Sequence, residues 1–377
     1  MATQRVIDFL ATRRPNGPCM VLDLEVVRDN FHAFEKAMPD SKIYYAVKAN
    51  PAPEILRLLA SMGSNFDCAS VNEIEMALDA GASPSRISFG NTIKKERDVA
   101  RAFELGIRLF AIDCVEEADK IGRVAAGSKV FCRVLTDGEG AEWPLTRKFG
   151  CVPAMAIDVL RHSKTIGLVP WGVSFHVGSQ MTNLHAWDNA LADAKMVFGT
   201  LAEEGIVLGL VNMGGGFPTR YLKDVPSAQA YGQAIYGALR KHFGNIIPET
   251  IIEPGRGMVG NAGVIKTEVV LISKKADNDN VRWVYLDIGK FGGLAETMDE
   301  AIRYQIVTPH DGTASEPCII AGPTCDSADV LYEKTPYALP LALEIGDEVL
   351  IEGTGAYTTT YSAVAFNGFE PLRAYVI

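Results

Sequence analysis

Between residues 43 and 253, short apolar runs alternate with amphipathic stretches of helical length. Segments 53–62 and 71–80 carry apolar residues at helical spacing, and Ser70 with Glu73 three residues later predicts a capping box for the second helix. Eight strand-then-helix units are the count of a (β/α)8 barrel, whereas an open doubly wound sheet uses fewer strands. We therefore predict an α/β fold built on a parallel barrel. The eight predicted strands are 43–47, 65–68, 87–90, 108–112, 130–135, 172–176, 208–213 and 250–253.

After residue 260 the helical spacing gives way to strand-like runs joined by turns, which is typical of an all-β domain. The run 19–24 precedes the barrel, so we expect it to pair with the C-terminal sheet. The predicted domains are a barrel over 25–262 and a β-sheet domain over 1–24 and 263–377. The predicted strands of this second domain are 264–271, 281–287, 317–322, 348–351 and 373–376.

Charge and cysteine content exclude several classes of function. The 377 residues include 36 Lys and Arg against 46 Asp and Glu, a net charge of −10, so we expect no nucleic-acid partner. The seven cysteines are an odd number with no CxxC pair, which predicts neither a disulfide framework nor a metal site. No run of 18 apolar residues occurs, and the N-terminal stretch lacks the apolar core of a signal peptide. We therefore expect a cytoplasmic protein with no membrane contact.

Polar residues that directly follow barrel strands are the candidates for chemistry, because active sites of barrels lie where the strands end. Lys48 follows the first predicted strand. We expect its surroundings to desolvate it, which lowers the pKa of the amine and frees it to form a Schiff base. The alternative is a lysine at a strand end that simply reaches solvent.

Three more strand ends carry groups that suit the same chemistry. His176 ends the sixth run, and Gly214–Gly216 follow the seventh, where backbone N–H groups can approach a phosphate closely; the alternative for the glycines is a tight turn. Glu253 and Arg256 follow the eighth run, with an ion pair between them as the alternative. A lysine, a glycine cradle and a carboxylate for a pyridine nitrogen together predict a pyridoxal 5'-phosphate site.

An ordered set of seven motifs supports this prediction along nearly the whole chain. In this order they resemble the signature motifs of the barrel-type, alanine-racemase-like pyridoxal phosphate decarboxylases of basic amino acids, and within that family most closely those of ornithine decarboxylases. The motifs are YAVKAN at 45–50, FDCAS at 66–70, SFHVGS at 174–179, GGGF at 214–217, EPGR at 253–256, GPTCD at 322–326 and FNGF at 366–369.

The resemblance implies roles for the residues at the barrel mouth. Lys48 would bind the cofactor covalently, Glu253 would pair with the pyridine nitrogen, and His176 would lie flat against the ring. Asp67, Arg133 and Glu73 match a supporting polar network near the lysine, although Glu73 could equally belong to a strand-end salt-bridge cluster with Arg133. The implied phosphate ligands are Gly214, Gly215, Gly216, Ser179, Arg256 and Tyr357.

The resemblance also implies a homodimer with shared active sites. Cys325 and Asp326 lie in the β domain, and in the family these positions reach the cofactor of the neighbouring subunit. Cys325 would protonate the α-carbon after CO2 leaves, with a buried structural thiol as the alternative. Asp326 would bind the distal ammonium of a small diamino acid substrate.

Residues 289–304 match the specificity segment of the family, and here the chain departs from the animal enzymes. Where those show Tyr-Asp, this chain has Asp299 and Glu300, with Glu296 four residues before Glu300. On a helix both glutamates could face the substrate pocket, the alternative being a solvated helical face. Phe291, Phe366 and Tyr357 are the remaining residues expected to line the substrate.

The sequence therefore predicts a decarboxylase that converts L-ornithine to putrescine and CO2 in polyamine biosynthesis, with L-lysine to cadaverine as an additional activity. One methylene separates these substrates, which is worth only about 1 to 3 kcal/mol of discrimination. One alternative is meso-diaminopimelate decarboxylase, whose usual Cys-Glu-Ser-Gly motif is missing here. The other is a non-catalytic regulatory homologue, which would lack the lysine, the acid or the glycine cradle.

Overall fold

The structure, a computed structural model, describes residues 2–136, 138, 140–143 and 147–377. The chain forms two compact units. The barrel unit consists of Arg28–Pro218 and Val225–Met258, and the β unit consists of the residues up to Val27, Thr219–Asp224 and Val259–Ile377.

Helices and strands alternate through the first two thirds of the described chain, and strands dominate the last third. The strands are β1 (Cys19–Leu22), β2 (Ser41–Ala46), β3 (Asn65–Cys68), β4 (Ile87–Phe89), β5 (Leu109–Ile112), β6 (Lys129–Arg133), β7 (Ala141–Trp143), β8 (Val169–Ser174), β9 (Ser179–Met181), β10 (Leu210–Asn212), β11 (Glu249–Ile252), β12 (Gly263–Ser273), β13 (Arg282–Leu286), β14 (Gln305–Val307), β15 (Ser315–Ala321), β16 (Val330–Pro340), β17 (Glu348–Glu352) and β18 (Arg373–Val376). The α-helices are α1 (Gln4–Arg13), α2 (Leu24–Ala37), α3 (Pro53–Ser61), α4 (Val71–Asp79), α5 (Glu96–Glu104), α6 (Val115–Val124), α7 (Pro153–Thr165), α8 (Ala186–Glu203), α9 (Ala228–Phe243) and α10 (Arg256–Val259). Short 3-10 helices cover Val47–Ala49, Pro84–Arg86, Gly260–Ala262, Ala295–Glu300, Thr359–Tyr361 and Phe366–Gly368.

The predicted (β/α)8 barrel is confirmed. Strands β2, β3, β4, β5, β6, β8, β10 and β11 form a closed parallel barrel in that order, with β11 hydrogen-bonded to β2. Alternate residues of the strands fill its interior, as expected for a barrel of this size. The interior cluster consists of Tyr44, Ala111, Phe131, Leu210 and Ile251.

The predicted cap of α4 by Ser70 is present, but the Glu73 carboxylate accepts from the backbone N–H of Ala69 rather than from that of Ser70, as a standard capping box requires. The Ser70 hydroxyl accepts a hydrogen bond from the backbone N–H of Glu73 at 3.2 Å, and the Glu73 carboxylate accepts one from Ala69 at 2.6 Å. These bonds satisfy two backbone donors at the start of α4, and such a cap stabilises a helix by about 1 kcal/mol.

The β unit is built on an eight-stranded sheet in the order β14-β17-β12-β13-β15-β16, with β1 beside β12 and β18 beside β1. The early run was expected to join this sheet, and β1 indeed pairs with β12 and β18. Strands β14 and β16 are absent from the prediction. In β16 the polar stretch Glu333–Thr335 and two prolines hide the strand pattern.

Among the described residues, no helix is both long and apolar enough to cross a membrane.

Candidate active site

Lys48 lies in the 3-10 turn Val47–Ala49, directly after β2 at the barrel mouth. The expectation that its surroundings desolvate it is wrong for this chain, because Lys48 is exposed. The turn carries the side chain beyond the last strand residue, where the barrel wall no longer covers it. Burial raises the pKa of both Asp67 and Glu253, and the positive charge of Lys48 opposes this rise in each. The amine therefore lies close enough to both carboxylates to interact with them.

Asp67 is a buried carboxylate near the end of β3. Burial raises the pKa of Asp67, while the charges of Lys48 and Arg133 and a 3.3 Å hydrogen bond from the Ser88 hydroxyl oppose the rise. A side chain at Gly90 would collide with this carboxylate, so the close fit requires glycine there.

Arg133 and Glu73 were both predicted to support the site. Burial lowers the pKa of the Arg133 guanidinium, and the charges of Glu253 and Asp67 raise it, so Arg133 lies near both acids. The Glu73 carboxylate caps the backbone N–H of Ala69, and Asp67 and Lys48 both influence its pKa, which burial raises. Glu73 thus shapes the loop between β3 and α4 close to the lysine.

Glu253 follows β11 and is half-buried. Its carboxylate accepts a hydrogen bond from the side-chain amide of Asn212, the last residue of β10. Burial raises the pKa of Glu253 to about 8, and the charge of Asp67 adds to the rise, whereas Asn212, Lys48 and Arg133 lower it. A carboxyl group with this pKa holds a proton near neutral pH and can share it with a basic nitrogen.

The glycine loop that follows β10 is packed too tightly for side chains. Gly214 has φ +64° and Gly216 has φ +101°, in the region that favours glycine. A Cβ at Gly214 would collide with the carbonyl of Phe175, and one at Gly215 would lie 2.7 Å from the carbonyl of Glu253. The loop is therefore a backbone surface without side chains.

A buried cation lies in the same barrel unit. Arg256 is 3% exposed, and its Nε and Nη2 atoms both donate to the Ser179 hydroxyl, at 3.3 and 3.2 Å. A buried guanidinium and a backbone cradle that a Cβ would fill are features that fit a phosphate group.

His176 is held in one protonation state. Its Nδ1 atom accepts a hydrogen bond from the backbone N–H of Gly178 at 3.0 Å, which requires an unprotonated Nδ1. Burial and the charges of Arg133 and Lys48 hold the pKa of His176 well below its usual range. Its Nε2 atom lies 3.3 Å from the Cβ position of Gly215, so a neutral imidazole stands beside the glycine loop.

Phe291 and Phe366 come together in the β unit. Their ring centroids are 4.6 Å apart, and both rings line a cavity of about 240 Å³ together with Thr324. Cys325 follows Thr324 and is exposed, so the alternative of a buried structural thiol is wrong. Asp326 is exposed as well, and Asn367 accepts a hydrogen bond from the backbone N–H of Cys325 at 2.8 Å.

The helical face expected to carry Glu296 and Glu300 does not exist. The 3-10 segment Ala295–Glu300 is broken at Met298 and at Asp299, whose φ is +53°. Glu300 pairs with Arg303 at 2.7 Å and accepts backbone hydrogen bonds from residues 333–335 of β16. Glu296 is 2% exposed. The hydrogen bonds between the Glu300 carboxylate and β16 hold the chain in this turn. A helix over the same residues could not make these bonds.

Tyr357, the predicted phosphate ligand of the β unit, has φ +56° and a half-buried ring 5.9 Å from that of Tyr361. A left-handed backbone at a bulky residue costs about 1 to 3 kcal/mol and is found mostly at functional sites.

Two polar residues of these sites were missed by sequence reasoning. Asn212 bonds to Glu253, and the buried Asp329 accepts hydrogen bonds from Lys290 N at 2.7 Å and Thr324 N at 3.1 Å. Asn212 lies two residues before the glycine motif and Asp329 three after Asp326, so their proximity to known motifs was the available signal.

Comparisons with known proteins show which proteins the chain resembles. A family model described as "Pyridoxal-dependent decarboxylase, pyridoxal binding domain" matches residues 24–260. A lysine/ornithine decarboxylase of Selenomonas ruminantium is 34% identical over 372 residues, covering 97% of this chain and 91% of that protein.

Solved structures resemble both units of the chain. A crystal structure described as "SrLDC in complex with PLP and Cadaverine" is similar to this chain, with a TM-score of 0.89 and 31% identity. The match covers 100% of this chain and 94% of that one. A lysine/ornithine decarboxylase of Vibrio vulnificus in complex with putrescine has a TM-score of 0.88 and 27% identity, covering 100% and 99% of the two chains.

Proposed function

Because the chain belongs to the pyridoxal-dependent decarboxylases, we propose that it removes the α-carboxyl group of L-ornithine to give putrescine and CO2, and that it also converts L-lysine to cadaverine. The observation that carries the proposal is the set of groups at the barrel mouth: Lys48, the Glu253 carboxyl, neutral His176 and the glycine loop. The choice of substrate is supported by the relative named lysine/ornithine decarboxylase and by the similar structure in complex with putrescine. The product putrescine would place the enzyme in polyamine biosynthesis.

Pyridoxal phosphate, when bound, withdraws the electron pair left behind as CO2 departs. The amine of Lys48 is proposed to bind it covalently. The glycine loop, Ser179 and Arg256 are proposed to bind its phosphate, with Tyr357 as a further ligand.

The protonation states of this chain's residues suit that chemistry. The Glu253 carboxyl, with a pKa of about 8, holds a proton that it can share with the pyridine nitrogen. A neutral His176 adds no positive charge that would compete with this proton. The positive charges of Lys48 and Arg133 act on both acids, and they oppose the rise in pKa that burial causes at Asp67 and Glu253.

The β unit is proposed to complete the site of a second copy of the chain. Cys325 and Asp326 are exposed, and the same unit exposes Val364 (82%) and Phe369 (46%), which leaves these side chains accessible to a second copy of the chain. In this homodimer the Cys325 thiol would donate a proton to the α-carbon. Asp326 would bind the distal ammonium of the substrate.

The remaining pocket residues are assigned by the same reasoning. Phe291 and Phe366 would form the apolar wall along the substrate's methylenes. Glu296 and Glu300 are both retained as candidates for a second acid, and Arg303 and three backbone N–H groups already bind the Glu300 carboxylate. The seven free cysteines support a reducing, cytoplasmic location.

Release of CO2 and amine product tests the substrate. Purified protein with pyridoxal phosphate is incubated with ornithine, lysine, arginine and meso-diaminopimelate, and kcat/KM is compared. The highest kcat/KM on ornithine, with measurable cadaverine from lysine, is expected. Cadaverine as the main product would overturn the preference for ornithine, and absence of CO2 from all four would overturn the activity.

Mixing two variants that are each impaired in amine formation tests the shared site, with the amine product as the readout. When Lys48→Ala and Cys325→Ala chains are mixed in equal amounts, half of the dimers are expected to contain one chain of each kind. One of the two sites in each mixed dimer is intact, so about a quarter of all sites should be active. Activity that stays at the level of the separate variants would contradict a shared site.

A further inference from the structure

The side-chain amide of Asn212 is bonded on both sides. Asn212 is 1% exposed, its Nδ2 donates to Oε1 of Glu253, and its Oδ1 accepts the backbone N–H of Gly214 at 3.0 Å. Because the N–H of Gly214 can only donate, the amide oxygen must face the loop and the NH2 group must face the carboxylate.

A second bond closes a ring around these three residues. The backbone N–H of Glu253 donates to the carbonyl of Gly214 at 2.8 Å. Glu253 is therefore tied to the first glycine of the loop twice, once through its own backbone and once through Asn212. The hydrogen bond from the Asn212 side chain restricts rotation of the Glu253 carboxylate. The backbone hydrogen bond alone would leave that rotation free.

Whether the side chain at position 212 is neutral or charged also affects the pKa of Glu253. Burial and then the charge of Asp67 raise the pKa of Glu253, whereas the hydrogen bond from Asn212 and the charges of Lys48 and Arg133 oppose the rise. A neutral amide supplies a donor without adding charge. An aspartate at this position would remove the donor and add a further carboxylate beside Asp67 and Glu253, which favours protonated Glu253.

We propose that Asn212 is a positioning residue that orients the Glu253 carboxylate and links it to the phosphate-binding glycine loop. Asn212 thereby fixes the position of the Glu253 carboxylate, the proposed partner of the pyridine nitrogen, relative to the glycine loop, the proposed partner of the phosphate. This inference rests on the proposed roles of Glu253 and of the loop.

The first test uses the protein without cofactor, so it does not depend on the proposed activity. The titration of Glu253 is followed by infrared difference spectroscopy, with Glu253→Gln identifying the band. Asn212→Ala and Asn212→Asp are expected to raise the pKa of Glu253. The matched control is Asn65→Asp, which makes the same change at the start of β3. Among the hydrogen bonds described, the side-chain amide of Asn65 donates only to the carbonyl of Ile43, at 3.1 Å. This variant is expected to leave the titration of Glu253 unchanged.

The second test is a double-mutant cycle on the dissociation constant of pyridoxal phosphate. Asn212→Ala is expected to weaken binding roughly tenfold or more in the native background and much less in the Glu253→Gln background, because Asn212 acts through Glu253. Asn212→Ser, which keeps a small donor, is expected to fall between alanine and the native residue. Equal losses in both backgrounds, or an unchanged Glu253 titration, would overturn the positioning role. Failure of the proposed function would show separately, as native protein that binds the cofactor but releases no CO2.

Discussion

Replacing Gly214 by alanine tests whether the glycine loop is a phosphate cradle. Gly214 has φ +64°, which costs an L-residue about 1 to 2 kcal/mol, and its Cβ would collide with the carbonyl of Phe175. Relieving such overpacking costs about 1 to 3 kcal/mol more and shifts the loop. We expect Gly214→Ala to lower the free energy of unfolding by about 2 to 5 kcal/mol in total.

Gly205 provides a matched control. It has φ +74°, and nothing lies within 4 Å of its Cβ position, so Gly205→Ala carries the backbone strain without the collision. Denaturant unfolding measures the stability of both variants, and fluorescence titration measures their affinity for pyridoxal phosphate and for pyridoxal. We expect Gly205→Ala to lose about 1 to 2 kcal/mol of stability with unchanged affinity for both ligands.

Gly214→Ala should bind pyridoxal phosphate roughly tenfold or more weakly, since hydrogen bonds to a charged group are lost, while the affinity for pyridoxal changes less. If Gly214→Ala binds both ligands as the native protein does and is no less stable than Gly205→Ala, the loop is not a phosphate cradle.

Three further predictions address the other groups of the site. Lys48→Ala should abolish the visible absorbance that the native protein shows with pyridoxal phosphate; an unchanged spectrum of the purified variant would refute covalent attachment at this lysine. Cys325→Ala should keep the cofactor but shift the product from amine toward aldehyde, because the α-carbon loses its proton donor; chromatography of the products measures this ratio, and a native ratio would contradict the role. Burial raises the pKa of Glu253 from 4.5 to about 8, so the folded cofactor-free protein binds more protons than the unfolded chain between these values, and its stability should fall as the pH rises through that range. Glu253→Gln should reduce this fall in a series of melting temperatures, and an identical pH dependence in the variant would show that Glu253 does not titrate in this range.

The barrel was predictable because each of its strands is a short apolar run, but the bounds of the strands were not. The sixth run was predicted over 172–176, whereas β8 spans Val169–Ser174. Phe175 and Val177 are each 1% exposed although they lie beyond the strand, since the loops at the barrel mouth are buried too. An apolar run therefore predicts which residues are buried, but it does not predict where the hydrogen-bonded strand ends. In β16 the opposite holds, because exposed polar residues on a hydrogen-bonded strand give no apolar run.

The sequence by itself determined which groups stand at the barrel mouth. Lys48, His176, the start of the glycine loop and Glu253 each lie within two residues of the end of a barrel strand, and parallel strands bring such residues to the same end of a barrel. Only the tertiary structure decided their environment. The bond between Asn212 and Glu253 joins positions 41 residues apart, Glu300 is held by a strand more than 30 residues away, and Lys48 is exposed where desolvation was expected. Hydrogen bonds and desolvation act over a few ångströms, and the atoms that supply them come from segments far apart in the chain.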